Sequence, residues 1–343
     1  MKNARASLYQ FSKEIYKLKP WEKFSKENIF AIQLPDASSP VYVSVWGKEE
    51  DAKGLVVYRD TKELAYFFEM LLWDYYDQTR PEFERIAYQT GIHLTYEDRE
   101  DCSKKEYRTI KESGILFRGK KAWPRFIEYL PGFEPLILED EQQEKFTAIL
   151  KYVTEFISDK CATENNHSLA DSFEVLTRQY NTDGSFQENY YELPEIAVIG
   201  LSEKIIPESP FLLTEFEKQR GLSLPKEMVV WEMDIETIPR AIYTQFSPRG
   251  YYPLLLTIVR PETTPQFWTT KLIESDRVQM QRNFLRIIIQ SGVRPLSIIF
   301  PIFSEAKLSA YFGCLLEAVE IEVELVERVP LIEYIRKKTD KPL

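Results

Sequence analysis

Residues 229–238 read Val-Val-Trp-Glu-Met-Asp-Ile-Glu-Thr-Ile, and this stretch decides the fold of the second half of the chain. Charged and apolar residues alternate along it. Because successive side chains of a β-strand point to opposite faces, Glu232, Asp234 and Glu236 share one face of a predicted strand. Three aligned carboxylates could hold a divalent metal, since hard cations prefer oxygen ligands.

After this stretch, strand-like runs alternate with helical patterns. The predicted strands are 229–238, 252–259, 267–273, 296–300 and 321–326, and the predicted helices are about 276–290, 304–319 and 331–338. Their order is βββαβαβα. Such alternation is typical of an α/β domain with a mixed sheet flanked by helices, and we predict that domain over 226–343.

The first part of the chain predicts a different organisation. Apolar residues at helical spacing indicate helices over 8–18, from Thr61 onward, over 103–113 and over 139–157, and β-rich runs indicate strands at 29–34, 41–46, 55–58 and 92–96. The three strands that precede Thr61 are separated only by turn-forming residues. We therefore predict an α+β domain with an antiparallel meander over 1–160.

In two stretches the apolar residues follow neither helical nor strand spacing clearly. Residues 114–135 mix turn formers with aromatic residues and predict an ordered loop anchored by buried rings. Residues 161–225 are the predicted linker, which carries a hairpin of 173–180 with 186–193, a short apolar run at 195–201 and a helix near 211–220.

Composition limits the classes of function. The chain has 343 residues, 44% of them hydrophobic, which is enough for two domains, and its net charge of −10 leaves nucleic-acid binding only to a local basic patch. Cys102, Cys161 and Cys314 lie far apart and predict free thiols in a reducing compartment. No signal-like or membrane-spanning apolar run is present, so we expect a cytoplasmic protein without a membrane partner.

Several common sites are excluded by the sequence. Only two histidines occur, His93 and His167, so catalytic triads and zinc sites built on histidine are nearly excluded. Residues 114–121 have the spacing of a phosphate-binding loop, but Lys121 replaces the hydroxyl residue and Trp123-Pro124 follows where a helix should begin. This stretch therefore does not predict nucleotide binding.

Short stretches in both halves carry a family resemblance. They are Lys19-Pro20-Trp21-Glu22, Val43-Ser44-Val45-Trp46-Gly47, Phe117-Arg118-Gly119-Lys120, Tyr252-Pro253-Leu254-Leu255-Leu256 and Gly292-Val293-Arg294-Pro295. Together they resemble a two-domain bacterial family of unknown function. The resemblance implies an architecture, and it implies no activity and no catalytic residues.

The order βββαβαβα also resembles the ribonuclease-H-like fold, in which a carboxylate on the first strand joins others to hold two divalent metals. Asp234 occupies the matching strand and is the candidate metal ligand, for magnesium or manganese. Glu236 and Glu333 complete the catalytic candidates, and Glu274 and Asp276 are further carboxylates before the first helix. The fourth strand ends in Ile299-Phe300-Pro301 without a carboxylate. The pair Glu322 and Glu324 repeats the alternation, as expected of a strand that faces water.

Two groups of residues predict binding surfaces. Arg118, Trp123 and Arg125 lie in the aromatic stretch 114–135, and Arg282 and Arg286 are four residues apart on a predicted helix. The first hypothesis is a non-enzymatic or catalytically degenerate binding or interaction protein that needs no cofactor and binds a partner such as another protein. The alternative is a metal-dependent enzyme that processes nucleic acid at Asp234.

Overall fold

The computed structural model describes residues 2–47, 52–76, 82–162, 174–193, 208–245, 247–262, 266–272 and 276–339. The chain forms two compact units. The first unit contains Met1–Leu71, Tyr88–Pro131 and Pro135–Glu203, and the second contains Leu72–Ala87, Gly132–Glu134 and Lys204–Leu343. The second unit therefore includes two segments from the first half of the sequence.

The helices and strands are numbered in chain order. The helices are α1 Lys2–Leu18, α2 Thr61–Tyr76, α3 Glu82–Tyr88, α4 Lys104–Glu112, α5 Asp140–Cys161, α6 Glu215–Leu222, α7 Arg277–Ser291, α8 Glu305–Ala318 and α9 Pro330–Thr339. The strands are β1 Phe30–Gln33, β2 Val41–Trp46, β3 Lys53–Tyr58, β4 Gly91–Glu97, β5 Trp123–Tyr129, β6 Leu136–Ile137, β7 Glu174–Tyr180, β8 Phe186–Glu192, β9 Lys226–Thr237, β10 Ile242–Thr244, β11 Ser247–Tyr251, β12 Leu254–Arg260, β13 Gln266–Leu272, β14 Arg294–Pro301 and β15 Glu322–Val326. None of the helices in the described ranges is long and apolar enough to span a bilayer.

The first unit is built on one eight-stranded sheet in the order β6-β5-β4-β3-β2-β1-β7-β8. Neighbouring strands are antiparallel except β1 and β7, which are parallel. The predicted meander of β1, β2 and β3 is confirmed. The hairpin β7–β8, predicted within the linker, joins this sheet beside β1.

Helices cover both faces of this sheet. Phe30 and Val43 pack with Phe146 of α5 on one face, whereas Ala31 and Tyr42 pack with residues of α2 on the other. Both faces are therefore apolar, which explains why β2 is buried along nearly its whole length.

The prediction of a loop over 114–135 was wrong for its second half. Residues 123–129 form β5, which pairs with β4 along its whole length and whose side chains alternate between buried and half-buried. The strand was not predicted because Pro124 lies within it, and proline is rare inside sheets. On its other side β5 pairs with β6 only at Ile127 and Glu128, so Pro124 is not required to donate a ladder hydrogen bond there.

The second unit is built on a five-stranded mixed sheet in the order β13-β12-β9-β14-β15. Strand β12 is antiparallel to both of its neighbours, β9 and β13, and β14 and β15 run parallel to β9. Trp231, Met233 and Ile235 of β9 are fully buried. Helix α9 contacts β9 and β12. Val259 of β12 packs with Ile332 of α9 and with Val329, which directly precedes that helix.

Some local predictions need correction. The helix expected near 211–220 begins at Glu215, because Thr214 caps it by accepting a hydrogen bond from the backbone N–H of Glu217. The hairpin β10–β11, inserted between β9 and β12, and the short helix α3 had no clear sequence signal. The apolar run 195–201 lies outside the described residues.

The acidic strand of the second unit as a candidate functional site

Strand β9 and helix α9 form the candidate site of the second unit. Glu232 and Asp234 are 4% and 1% exposed, although both carry a carboxyl group. Burial of a charged group is costly unless it is paired and hydrogen-bonded. The partners of these carboxylates therefore determine what the acidic strand does.

Asp234 is paired with an arginine from the last helix. Arg336 Nη2 lies 2.8 Å from Asp234 Oδ2 and 3.2 Å from Glu236 Oε2, so one guanidinium nitrogen bridges two carboxylates. The second oxygen of Asp234 accepts a hydrogen bond from the backbone N–H of Ile235 at 2.7 Å. Both oxygens of Asp234 thus have donors from the protein itself.

Glu232 binds the amino-terminal end of α9. Its Oε2 accepts a hydrogen bond from the backbone N–H of Ile332 at 2.9 Å. Burial raises the pKa of the Glu232 carboxyl above its ordinary value, and the nearby charge of Glu333 adds to this, while hydrogen bonds from the backbone of Ile332 and Leu331 oppose it. A carboxylate at a helix amino terminus is favourable, because it satisfies backbone N–H groups that have no partner within the helix.

A buried ion pair lies at the end of the same strand. Glu84 of α3 accepts hydrogen bonds from Lys307 Nζ and from the backbone N–H of Thr237, each at 2.6 Å. Lys307 Nζ also donates to the Thr237 hydroxyl at 3.0 Å. Burial alone would raise the pKa of Glu84, but the charge of Lys307 and these hydrogen bonds outweigh it and hold the pKa below its ordinary value.

Glu236 lies between these two pairs. Burial raises the pKa of its carboxyl, and the negative charges of Asp234 and Glu84 raise it further, whereas Arg336 and Lys307 act in the opposite direction. Glu84, Asp234 and Glu236 therefore interact electrostatically with two cations supplied by helices.

The other predicted carboxylates have separate roles. Glu333 accepts a hydrogen bond from Arg328 Nε at 3.0 Å, and Asp276 caps α7 by accepting one from the backbone N–H of Gln279 at 3.0 Å. Glu274 lies outside the described residues. Within the described part of the chain, no group of three or more carboxylate, histidine or cysteine side chains is arranged to hold a metal ion.

The residues predicted as a binding surface in the first unit occupy different environments. Arg118 is exposed, and Trp123 is half-buried against the rings of Tyr107 and Phe117. Arg125, two residues along β5 from Trp123, pairs with the buried Glu106 at 2.8 Å. Arg125 also lines a pocket of the first unit.

The two arginines predicted on α7 differ in their pairing. Arg282 Nε lies 2.9 Å from Glu217 of α6, and Arg286 is exposed. Hydrogen bonds from Thr214 and Arg282 lower the pKa of Glu217 to about 2. The positive charge of Arg282 is therefore partly balanced within the protein.

Sequence reasoning missed Glu84, Lys307 and Arg336. The burial of the two cations could have been predicted, because each lies on the same helix face as a buried apolar residue. Arg336 is four residues from Ile332, and Lys307 is four residues from Tyr311. A charged residue on the inward stripe of a helix predicts a buried partner of opposite charge. Glu84 had no comparable signal in its seven-residue helix.

Fold and site define a two-unit protein with an eight-stranded α+β unit and a mixed-sheet unit whose acidic strand is paired internally. Residues 6–178 match the model of a domain of unknown function, DUF7309, and residues 217–339 match that of another, DUF6930. The first match covers half of the chain, which therefore belongs to the DUF7309 family. No curated protein matches the chain. The resemblance to a two-domain family of unknown function is confirmed.

Proposed function

We propose that this chain is a binding or interaction protein without catalysis of its own, and that its second unit is a degenerate ribonuclease-H-like domain. The strand order supports the second part of the proposal. Strand β9 is central: on one side lies the antiparallel strand β12, with β13 antiparallel to β12 at the edge, and on the other side lie β14 and β15, both parallel to β9. Asp234 on this strand occupies the position of the metal-binding carboxylate that the resemblance implies.

The observation that carries the proposal is the pairing of Arg336 with Asp234 and Glu236. Two-metal catalysis needs convergent carboxylates that can bind ions a few ångströms apart. Here the guanidinium of Arg336 already contacts the carboxylates of Asp234 and Glu236, and its positive charge repels a metal ion. A metal would have to displace Arg336 from a buried aspartate, which is strongly unfavourable for the protein. The acidic strand thus anchors α9 to the sheet.

A metal-dependent nucleic-acid enzyme is the second candidate. One observation favours it: Asp234 and Glu236 lie close enough for a single cationic nitrogen to contact both, so a divalent ion that displaced Arg336 would meet two carboxylates. In that case Asp234 would be the central ligand, and magnesium or manganese the cofactor.

Thermal unfolding of the full chain during titration with manganese or magnesium separates the two candidates. Sodium chloride at matched ionic strength is the control for charge screening. We expect the divalent ions to give the same unfolding temperature as the sodium control. A rise that is specific to manganese or magnesium and absent in Asp234→Asn would overturn the proposal, since a ligand of the native state stabilises it. A nuclease assay on single-stranded and duplex substrates, compared between wild type and Asp234→Asn, gives an independent readout.

We also propose a cytoplasmic location and a protein partner, with nucleic acid bound only through a local basic patch. The three cysteines are free thiols, which suits a reducing compartment, and the net charge of −10 opposes binding to a phosphate backbone. Fractionation of cells that express the chain tests the location. Recovery in a compartment where disulfides form would contradict it.

A further inference from the structure

Strand β8 forms one edge of the eight-stranded sheet and pairs with β7 along its whole length. Six of its seven residues are exposed, and Glu188 is half-buried. Its aromatic residues Phe186, Tyr190 and Tyr191 are 46%, 45% and 43% exposed. In the part of the chain that the structure describes, no other strand pairs with the outer edge of β8. The backbone groups on such an edge can pair with a further strand.

The other edge strands of the two large sheets have features that discourage pairing. Strand β6 has only two residues. Strand β13 carries the exposed Lys271, and β15 carries the exposed Glu322 and Glu324. Short strands and charged side chains are common means by which proteins protect a sheet edge.

Strand β8 has less protection by charge. It carries two acidic residues, Glu188 and Glu192, and no basic residue. The Glu188 carboxylate is neutralised within the protein, because Lys160 Nζ and Arg178 Nη2 lie 2.8 and 2.6 Å from its oxygens. The other acidic residue, Glu192, is the last residue of the strand. The middle of β8 is therefore an exposed strand edge with little net charge.

The turn of the hairpin determines which backbone groups of β8 face the open edge. The N–H of Asn181 donates to the carbonyl of Ser185 at 2.8 Å, so these two residues form a hydrogen-bonded pair. Hydrogen-bonded and non-hydrogen-bonded pairs alternate along an antiparallel ladder, and the register of β7 with β8 continues without a shift. The N–H and C=O groups of residues 187, 189 and 191 therefore point to β7, whereas those of residues 186, 188, 190 and 192 point outward.

A second copy of β8 matches these outward groups when the two strands are antiparallel and related by a twofold axis at Asn189. Glu188 then lies opposite Tyr190 of the second copy, and Phe186 lies opposite Glu192 of the second copy, so all four outward residues have a backbone partner. A shift of two residues in either direction would place Glu188 opposite Glu188 or Glu192 of the second copy. Like charges directly opposite each other are destabilising, so charge favours the register centred on Asn189.

We infer that β8 is a dimerisation strand, which pairs with β8 of a second copy of this chain about a twofold axis at Asn189. The pairing joins two eight-stranded sheets into one continuous sheet. This inference goes beyond the proposed function, because the partner is the chain itself and the contact involves neither Asp234 nor Arg336.

Sedimentation equilibrium of the full chain over about 1–300 μM tests the inference, since a strand-edge contact of small area should give a micromolar dimer. We expect the mass to rise from that of one chain toward that of two. Tyr190→Pro removes one outward N–H from each copy and no donor to β7, so it should weaken dimerisation by about tenfold or more. Tyr190→Thr, the matched control, also loses the ring but keeps the N–H and should weaken dimerisation less.

Asn189→Cys tests the register through a gain of signal. On the twofold axis this residue forms a non-hydrogen-bonded pair with its equivalent, with Cα atoms about 4.5 Å apart, which a disulfide can span. Mild oxidation should therefore link two chains, seen as a doubled mass in non-reducing electrophoresis. In the control Gln187→Cys the equivalent residues are more than about 13 Å apart and should not link. Wild type gives the background from Cys102, Cys161 and Cys314.

Three results would each overturn the inference. They are a wild type that stays monomeric at about 300 μM, a folded Tyr190→Pro that dimerises as strongly as wild type, and equal cross-linking of Asn189→Cys and Gln187→Cys. If circular dichroism shows that Tyr190→Pro does not fold, wild-type sedimentation and the two cysteine variants decide. None of these results bears on metal binding at Asp234, so failure here is distinguishable from failure of the non-catalytic proposal.

Discussion

Arg336 Nη2 donates a hydrogen bond to Asp234 Oδ2 over 2.8 Å and so ties the last helix to the central strand across 102 residues of sequence. The Asp234 side chain is 2% exposed, so removal of its partner leaves a buried charge. We expect Arg336→Met to lower the free energy of unfolding by about 2–4 kcal/mol, because an unpaired buried carboxylate is strongly destabilising. Urea denaturation at pH 7 measures this change.

A double-mutant cycle separates the ion pair from packing. Asp234→Asn combined with Arg336→Met should cost less than the sum of the single changes, because the second substitution removes the stranded charge. Arg328→Met, which changes an exposed arginine paired with Glu333, is the matched control and should leave stability unchanged. Additive effects of the two substitutions would show that Asp234 and Arg336 do not interact.

The strand that carries Asp234 could be predicted from the sequence, but its partners could not. Strict alternation of period two identified β9 and placed its carboxylates on one face, since this pattern is a local property of the backbone. The pairing with Arg336 depends on how α9 packs over the sheet, and the pairing of Thr237 with Glu84 depends on a segment 153 residues earlier. The apolar stripe of α9 predicts that Arg336 is buried against an opposite charge, but no periodic pattern identifies which carboxylate that is.

Disruption of the buried Glu84–Lys307 pair should destabilise the second unit. Their side chains are 7% and 4% exposed, and Glu84→Gln removes the buried carboxylate that accepts a hydrogen bond from Lys307 Nζ. We expect a loss of about 3–5 kcal/mol, with partial recovery in the double variant with Lys307→Met. Chemical denaturation of the single and double variants checks the prediction. If Glu84→Gln alone were neutral, the pair would contribute no stability.

The Glu84–Lys307 pair should also make the stability of the second unit depend on pH in the acidic range. The folded-state pKa of Glu84 lies below its ordinary value of 4.5, so the carboxylate contributes stability that is complete above pH 4.5 and is lost as the pH falls through the folded-state pKa. Glu84→Gln should therefore reduce the slope of unfolding free energy against pH in this acidic range. Denaturation of wild type and variant at several pH values below 5 measures the slopes, and parallel slopes would contradict the assignment.

His93 should make the first unit sensitive to a different pH range. Its ring lies between Trp46 and Tyr129, and one ring nitrogen is 3.0 Å from the carbonyl of Thr90. Burial lowers the pKa of His93 to about 4 from an ordinary value of 6.5, so the unfolded chain binds the proton more tightly than the folded chain. Stability should fall as the pH decreases from 6.5 to about 4, by up to about 3 kcal/mol.

His93→Gln provides the test of this assignment. The variant loses the titrating group, so its unfolding free energy should depend less on pH between 6.5 and 4 than that of wild type, whatever its absolute stability. Nuclear magnetic resonance titration of the His93 ring gives the pKa directly. A ring that titrates near 6.5 in the folded protein would contradict the burial argument.

Gly54 of β3 lies directly against the backbone of β4. A Cβ atom added at this position would lie 2.0 Å from the carbonyl oxygen of Leu94, and backbone atoms cannot yield as a flexible side chain can. Gly54→Ala should therefore break the pairing of β3 with β4 and destabilise the first unit by about 3 kcal/mol or more, in the range of severe steric substitutions. Gly313→Ala in α8 is the matched control, because its Cβ would meet no atom within 4 Å and alanine favours helix by about 1 kcal/mol over glycine. Thermal unfolding of the two variants should therefore give shifts of opposite sign, and a neutral Gly54→Ala would mean that the two strands separate at little cost.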